Sequence, residues 1–223
     1  MKDFAVIFDN DGVLVDSEGY SLEAYRAALK EQGVTIMRED DMKYCGLTDA
    51  GIVNIVRQAY GADIDLEQFS KRKGELYYEI AGSNEMHPFP GVRRLIEELR
   101  LAGIPCLLAS SGSRKKIAFN LSRAHIGDLF DIIISGEDFK RGKPAPDIFI
   151  SAAERSGVKP ACCAVIEDSI NGLLAARDAG TFAIGVTNTF PRETLAPHAD
   201  MIIDSLDELN HGRIRSMLCS TAN

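Results

Sequence analysis

Two aspartates one residue apart, Asp9 and Asp11, close an apolar run at residues 4–8 and precede Gly12. On an extended chain alternate side chains point the same way, so these two carboxylates would repel each other. A protein tolerates that where a cation lies between them or where one carboxyl takes up a proton; a lone Asp-x-Asp at a strand end serves equally well to begin a turn. Three further polar groups follow apolar runs or lie between them: Ser110-Ser111-Gly112-Ser113, Lys143 within Gly142-Lys143-Pro144-Ala145-Pro146-Asp147, and Glu167-Asp168-Ser169. Together they offer carboxylates for a hard cation, a hydroxyl and a helix N-terminus for an anion, and one lysine, a set suited to phosphoryl chemistry. Singly each has a plainer reading: Ser110 as an N-cap, Glu167 and Asp168 as acids favouring a helix dipole.

The elements that would position these residues are legible in the hydrophobic pattern. Apolar runs at residues 4–8, 105–109, 132–134, 163–166, 182–186 and 201–203 read as strands. Helical periodicities separate most of them, as at Val92, Leu95, Ile96 and Leu99, at Ile148, Phe149 and Ala152, and at Leu173, Leu174 and Ala176. Alternating strands and helices predict an α/β fold, a Rossmann-like parallel sheet with helices on both faces. In such sheets ligands bind beyond the carboxyl ends of the strands, where the polar groups fall. Residues 16–87 break the alternation with three amphipathic patterns: Leu22, Tyr25 and Leu29, with Ser17 as N-cap; Ile52, Ile55, Val56 and Ala59; and Leu66, Phe69, Leu76 and Ile80. This predicts a small all-helical domain over 16–87, inserted into a core formed by 1–15 and 88–223. The tail, residues 210–223, fits either a last helix or a frayed end.

Composition excludes several classes. The 25 basic and 33 acidic residues give a charge of −8, which argues against nucleic acid and anionic membranes as partners. No apolar run approaches a membrane span, and no signal-peptide pattern precedes the first strand. Five cysteines without metal-ligand spacing, of which Cys106, Cys162 and Cys163 read as small buried hydrophobes, suit a reducing cytoplasm. His87, His125, His198 and His211 lie outside every strand-end motif and Gly-x-Ser-x-Gly is absent, so a serine hydrolase is not supported. Residues 136–143 look superficially like a P-loop, but the spacing is one residue too long and Pro144 replaces the required Ser or Thr.

At these same residues the chain resembles the haloacid dehalogenase superfamily over nearly its whole length. Asp9-Asn10-Asp11-Gly12-Val13 with Asp16-Ser17 is similar to the first motif, Ser110 to the second, Lys143 to the third, and Glu167-Asp168-Ser169 with Gly172 to the fourth. The resemblance implies Asp9 as nucleophile, forming an aspartyl-phosphate, and Asp11 as general acid and then base. It implies Mg²⁺ held by the Asp9 carboxylate, the Asp11 backbone carbonyl and Asp168, with Glu167 direct or through water. Ser110, Ser111 and Lys143, with Thr48 from the insertion, become the expected substrate contacts.

In this family an accessory domain enters either after the first motif or after the second. The 33 positions from Ser110 to Lys143 leave no room for one, so the resemblance makes 16–87 a mobile cap that restricts substrates to small molecules. Asp11 argues against the dehalogenases and phosphonate hydrolases, which lack that aspartate. Beta-phosphoglucomutases carry a histidine where this chain has Tyr20-Ser21, and an arginine where Gly46-Leu47-Thr48-Asp49 has Asp49, which reads either as an acid that would repel a bisphosphate or equally as a charge at the start of the next helix. The expectation is therefore a cytoplasmic Mg²⁺-dependent phosphatase, taken as a monomer, acting on a small phosphomonoester of sugar type. A phosphomutase is the alternative, and a non-enzymatic sensor of phosphometabolites a third reading. Lys71, Arg72 and Lys73 read mainly as a solvated face, and Tyr77 and Tyr78 as core or lobe-interface residues.

Overall fold

The computed structural model describes residues 3–44 and 47–220, so Cys45 and Gly46 lie outside the described residues. In chain order the regular elements are β1 (Ala5–Phe8), α1 (Glu18–Glu31), α2 (Asp49–Tyr60), α3 (Leu66–Gly82), α4 (Val92–Leu101), β2 (Cys106–Ser110), α5 (Arg114–Arg123), β3 (Ile132–Ser135), α6 (Asp147–Ser156), β4 (Cys163–Glu167), α7 (Ile170–Asp178), β5 (Phe182–Val186), α8 (Arg192–Leu195), β6 (Met201–Ile203) and α9 (His211–Ser220). They form two compact units, Met1–Asp16 with His87–Asn223, and Ser17–Met86.

The larger unit is built on a six-stranded parallel sheet of order β3-β2-β1-β4-β5-β6. Every residue of β1, β2 and β4 is buried, which requires cover on both faces and explains why these strands read as unbroken apolar runs rather than alternations. On one face Ala5, Ile7, Leu107, Ala109, Cys163 and Val165 pack with Phe149, Ala152 and Ala153 of α6 and Leu173 and Ala176 of α7. The expected strands are all present. Three of them, β2, β3 and β4, end one residue beyond the apolar pattern, because Ser110 pairs with Ser135 and Glu167 with Gly185 in the parallel ladders. From β1 the strand order proceeds outwards in both directions, so the crevice at the topological switch point opens between β1 and β4.

The smaller unit is helical. Ala24, Tyr25, Ala28 and Leu29 of α1 and Phe69, Leu76, Tyr77 and Ala81 of α3 supply its buried face, and Ile52, Val53 and Val56 of α2 add to it. Gln32 brackets Asp65, donating to its carbonyl (3.2 Å) and accepting from its amide (2.8 Å). Ser17 stands at the N-cap position of α1 but makes no side-chain cap bond: its backbone (φ −111°, ψ −7°) is already near-helical, whereas a capping hydroxyl works from the extended region. A 3-10 turn at Arg38–Lys43 has no periodicity to announce it, and its Asp41 accepts from the Tyr25 hydroxyl and pairs with Arg26.

The tail forms α9, burying Ile214 and Leu218. Cys106 and Cys163 are buried, which pushes their thiols up to about 12 and about 11; Cys162 is only half-buried. Among the described residues no helix is long and apolar enough to cross a membrane.

Candidate active site

Asp9 directly follows β1, its amide donating to the Ile166 carbonyl (3.0 Å) so that it continues the ladder to β4. A tight turn follows, in which the Asn10 carbonyl accepts from the amides of Leu14 (2.9 Å) and Val15 (3.1 Å). Gly12 sits at φ +77°, and a Cβ there would come within 1.8 Å of Asp168 Oδ2 and 2.8 Å of Thr189 Oγ1. Only glycine meets both demands, a left-handed backbone and the close approach of a carboxylate.

Lys143, on the loop after β3, reaches back across the sheet ends. Its Nζ donates to Asp9 Oδ1 (2.6 Å) and Glu167 Oε1 (2.7 Å), with the Ala109 carbonyl at 3.4 Å. Burial opposes the charge on this lysine, but Asp9 and Glu167 together outweigh it and hold its pKa above the ordinary lysine value. Burial is also the largest influence on Asp9 and pushes it up, to about 7, against the pull of Lys143 and with added repulsion from Glu167 and Asp11.

Glu167, 1% exposed, uses its second oxygen to accept from the Asp168 amide (3.0 Å), the Ser169 amide (2.9 Å) and the Ser169 hydroxyl (2.9 Å). Those donors stand at the start of α7, where free N–H groups favour an anion. Gly172 makes room for this carboxylate, since a Cβ there would lie 1.8 Å from Glu167 Oε1. Asp168 accepts from the Thr189 hydroxyl.

Ligand oxygens of Asp9, Glu167 and Asp168 lie within 4.8 Å of one another, and all three residues are buried. Three buried carboxylates facing one lysine leave the site short of positive charge, and oxygen donors are what a hard divalent cation takes. The donor set fits such an ion.

Ser110 closes β2, and its hydroxyl accepts from the Gly112 amide (3.1 Å). The hydroxyl hydrogen is not consumed by that bond. Ser111 is exposed, Ser113 N-caps α5 by accepting from the Lys116 amide (3.2 Å), and Ser135 Oγ donates to the Gly112 carbonyl (2.7 Å). A Cβ at Gly112 would lie 3.3 Å from Ser110 Oγ and 3.8 Å from Asp11 Oδ2, which places both residues beside this loop.

The Asp11 carboxylate turns towards α5 rather than joining the three-carboxylate group. Its Oδ1 lies 3.0 Å from Lys116 Nζ and accepts from Asn120 Nδ2 at 3.0 Å. Thr48 belongs to the helical unit, where it N-caps α2 by accepting from the Gly51 amide (3.2 Å). Asp49 is the first residue of α2 and is ion-paired with Lys73 of α3, so its charge is compensated and its expected repulsion of a second phosphate is weakened. Arg72 pairs with Glu31, Glu75 and Glu79.

The structure thus gathers Asp9, Lys143, Glu167 and Asp168, and sets Asp11 and Ser110 beside Gly112. Sequence reasoning missed Lys116, Asn120, Asn188 and Thr189. The last two follow β5, so the strand-end rule that found the other motifs would have found them; Asn188 Nδ2 donates to the Gly12 carbonyl (2.8 Å). Lys116 and Asn120 lie inside a helix, where no such signal exists.

An acid turn after β1, a serine after β2, a lysine before α6 and an acid pair after β4 on this parallel sheet define a haloacid dehalogenase-like core. The chain belongs to that family: the haloacid dehalogenase-like hydrolase model matches residues 5–180. It is 33% identical over 204 residues to a bifunctional riboflavin kinase/FMN phosphatase of Arabidopsis thaliana, covering 90% of this chain and 53% of that one. The chain therefore spans about half the length of that relative. It is 33% identical to a phosphorylated carbohydrates phosphatase of Thermotoga maritima over 180 residues, 79% of this chain and 81% of the other. Among solved structures, a putative beta-phosphoglucomutase from Thermotoga maritima superposes with a TM-score of 0.73 at 29% identity, covering 99% of each chain.

Proposed function

We propose that the protein is a Mg²⁺-dependent phosphatase of small phosphorylated metabolites, sugar phosphates foremost, working through an aspartyl-phosphate at Asp9. The observation that carries this reading is Lys143 bridging Asp9 and Glu167 beside Asp168 at the switch point of the sheet. Asp9 attacks phosphorus, and Lys143 offsets the charge that would otherwise keep carboxylate and phosphate apart. Asp11 protonates the departing oxygen and then takes a proton from the water that hydrolyses the intermediate. Ser110 and the amides of its loop hold the phosphoryl oxygens. Asp9, Asp168 and the Asp11 carbonyl would hold Mg²⁺, while Glu167, both of whose oxygens already accept, would contribute through water. The ion supplies Lewis-acid stabilisation of charge on the transferring group. The helical unit is assigned the role of a cap, with Thr48 and Ser111 as further substrate contacts.

The FMN phosphatase and the carbohydrate phosphatase named above support hydrolysis, and the mutase-like structural neighbour supports a second reading, transfer between positions of one sugar phosphate. The Asp49–Lys73 pair removes part of the case against it. The reactions separate in one experiment, in which purified protein is given a panel of sugar phosphates and phosphoacids, with Mg²⁺ or with EDTA. Free phosphate is measured alongside conversion of beta-glucose 1-phosphate to glucose 6-phosphate. The expected result is phosphate release that requires Mg²⁺ and is absent in Asp9→Asn. Isomerisation without net phosphate release would replace the phosphatase by the mutase.

A further inference from the structure

Asn120 is wholly buried in the middle of α5, flanked by buried Ile117 and Leu121, where an apolar side chain would be the ordinary choice. A buried amide is costly unless it is hydrogen-bonded. Its partner is 109 positions away: Nδ2 donates to Asp11 Oδ1 at 3.0 Å. One turn earlier on the same helix Lys116 sets its ammonium 3.0 Å from the same oxygen, with side chains 24% and 20% exposed. Two donors converge on Oδ1, while Oδ2 faces the Gly112 side, 3.8 Å from where a Cβ on that glycine would stand. No sequence motif marks either residue.

Resting on the phosphatase reading, we infer that Asn120 and Lys116 are positioning residues for Asp11, holding its carboxyl through Oδ1 in the one orientation that keeps Oδ2 on the Gly112 side. In the transfer step a bond forms between Asp9 and phosphorus while the bond from phosphorus to the leaving oxygen breaks. The electron pair of that bond stays on the leaving oxygen, which takes the proton from the Asp11 carboxyl as Asp11 becomes carboxylate. Without the two donors on Oδ1 the carboxyl is free to turn away from the leaving oxygen.

The consequence is selective. A leaving group that is stable as an anion needs no proton, whereas an alkoxide does. Steady-state kinetics on p-nitrophenyl phosphate and on glucose 6-phosphate, with Mg²⁺, compare wild type with Asn120→Ala, Lys116→Met and Lys116→Arg. Either of the first two should lower kcat on the sugar phosphate about tenfold or more, with KM little changed, and lower it less than about threefold on the aryl phosphate, because general acid catalysis is needed only for the first. Lys116→Arg should restore most of the loss. An equal fall on both substrates, or no fall on either, overturns the inference and leaves Asn120 and Lys116 as structural residues. Should Asn120→Ala fail to fold by circular dichroism, Lys116→Met decides, since that side chain is partly exposed. A wild type without Asp9-dependent phosphate release from either substrate would defeat the phosphatase reading, and this inference with it.

Discussion

At the scale of residues, the site is a problem of charge. Asp9, Glu167 and Asp168 are buried together, and Lys143, whose side chain is 6% exposed, pairs with the first two. Removing one partner of such a group leaves charge buried and uncompensated, so Lys143→Met should destabilise the metal-free protein by about 3–5 kcal/mol. Urea titration with and without Mg²⁺ checks this, and the added cation should recover part of the loss. An unchanged midpoint would mean that the carboxylates are already neutral without the lysine. Asp9, Asp11, Ser110, Lys143, Glu167 and Asp168 were legible in the sequence because each stands where an apolar run stops or a proline-held loop begins. Asn120 was not, because a polar residue among the apolar positions of a helix looks like solvent-facing periodicity until its partner, distant in sequence, is seen. Asp49 reads in the sequence as an acid against a second phosphate or as a charge opening a helix; it does open α2, and its partner Lys73, on another helix, could not be foreseen.

At the scale of elements, the strands were legible because sheet interiors take mainly apolar side chains, and the polar last residues of β2, β3 and β4 were not. Ser110 and Glu167 are polar, yet ladder pairing holds them in the strands, which sets the depth at which their side chains enter the site. Helix starts divide similarly. Ser113, from the extended backbone region (φ −65°, ψ 152°), caps α5 and so fixes the helix that carries Lys116 and Asn120, whereas Ser17 has the right residue type and the wrong backbone. Ser113→Ala should cost about 1 kcal/mol in denaturant melts, and a neutral result would show that the rest of the Ser110 loop, pinned by Ser135, holds α5 unaided. The 3-10 turn at Arg38–Lys43 left no trace in the sequence because a single acidic turn has no period to detect. The tail was ambiguous because Arg213 and Arg215 flank Ile214 and obscure the four-residue step to Leu218 that buries α9.

At the scale of the molecule, a chain with a charge of −8 buries three carboxylates together at the switch point of its sheet, where they call for a cation and the backbone supplies helix N-termini. Fold and chemistry are linked through the strand order: β1 at the switch point delivers the Asp9–Asp11 turn, β2 and β4 on either side deliver Ser110 and Glu167-Asp168, and the loop after β3 brings Lys143 across. In the proposed reaction these residues meet the phosphoryl group, which every candidate substrate shares. The central claim is that this group is transferred to Asp9 before water receives it. The most direct test is an acid-quenched single turnover with the preferred panel substrate and Mg²⁺, followed by peptide mapping by mass spectrometry. The account predicts a transient phosphoryl adduct on the peptide carrying Asp9, absent in Asp9→Asn and decaying as free phosphate appears. Phosphate appearing with no adduct at Asp9, and still appearing in Asp9→Asn, would contradict it.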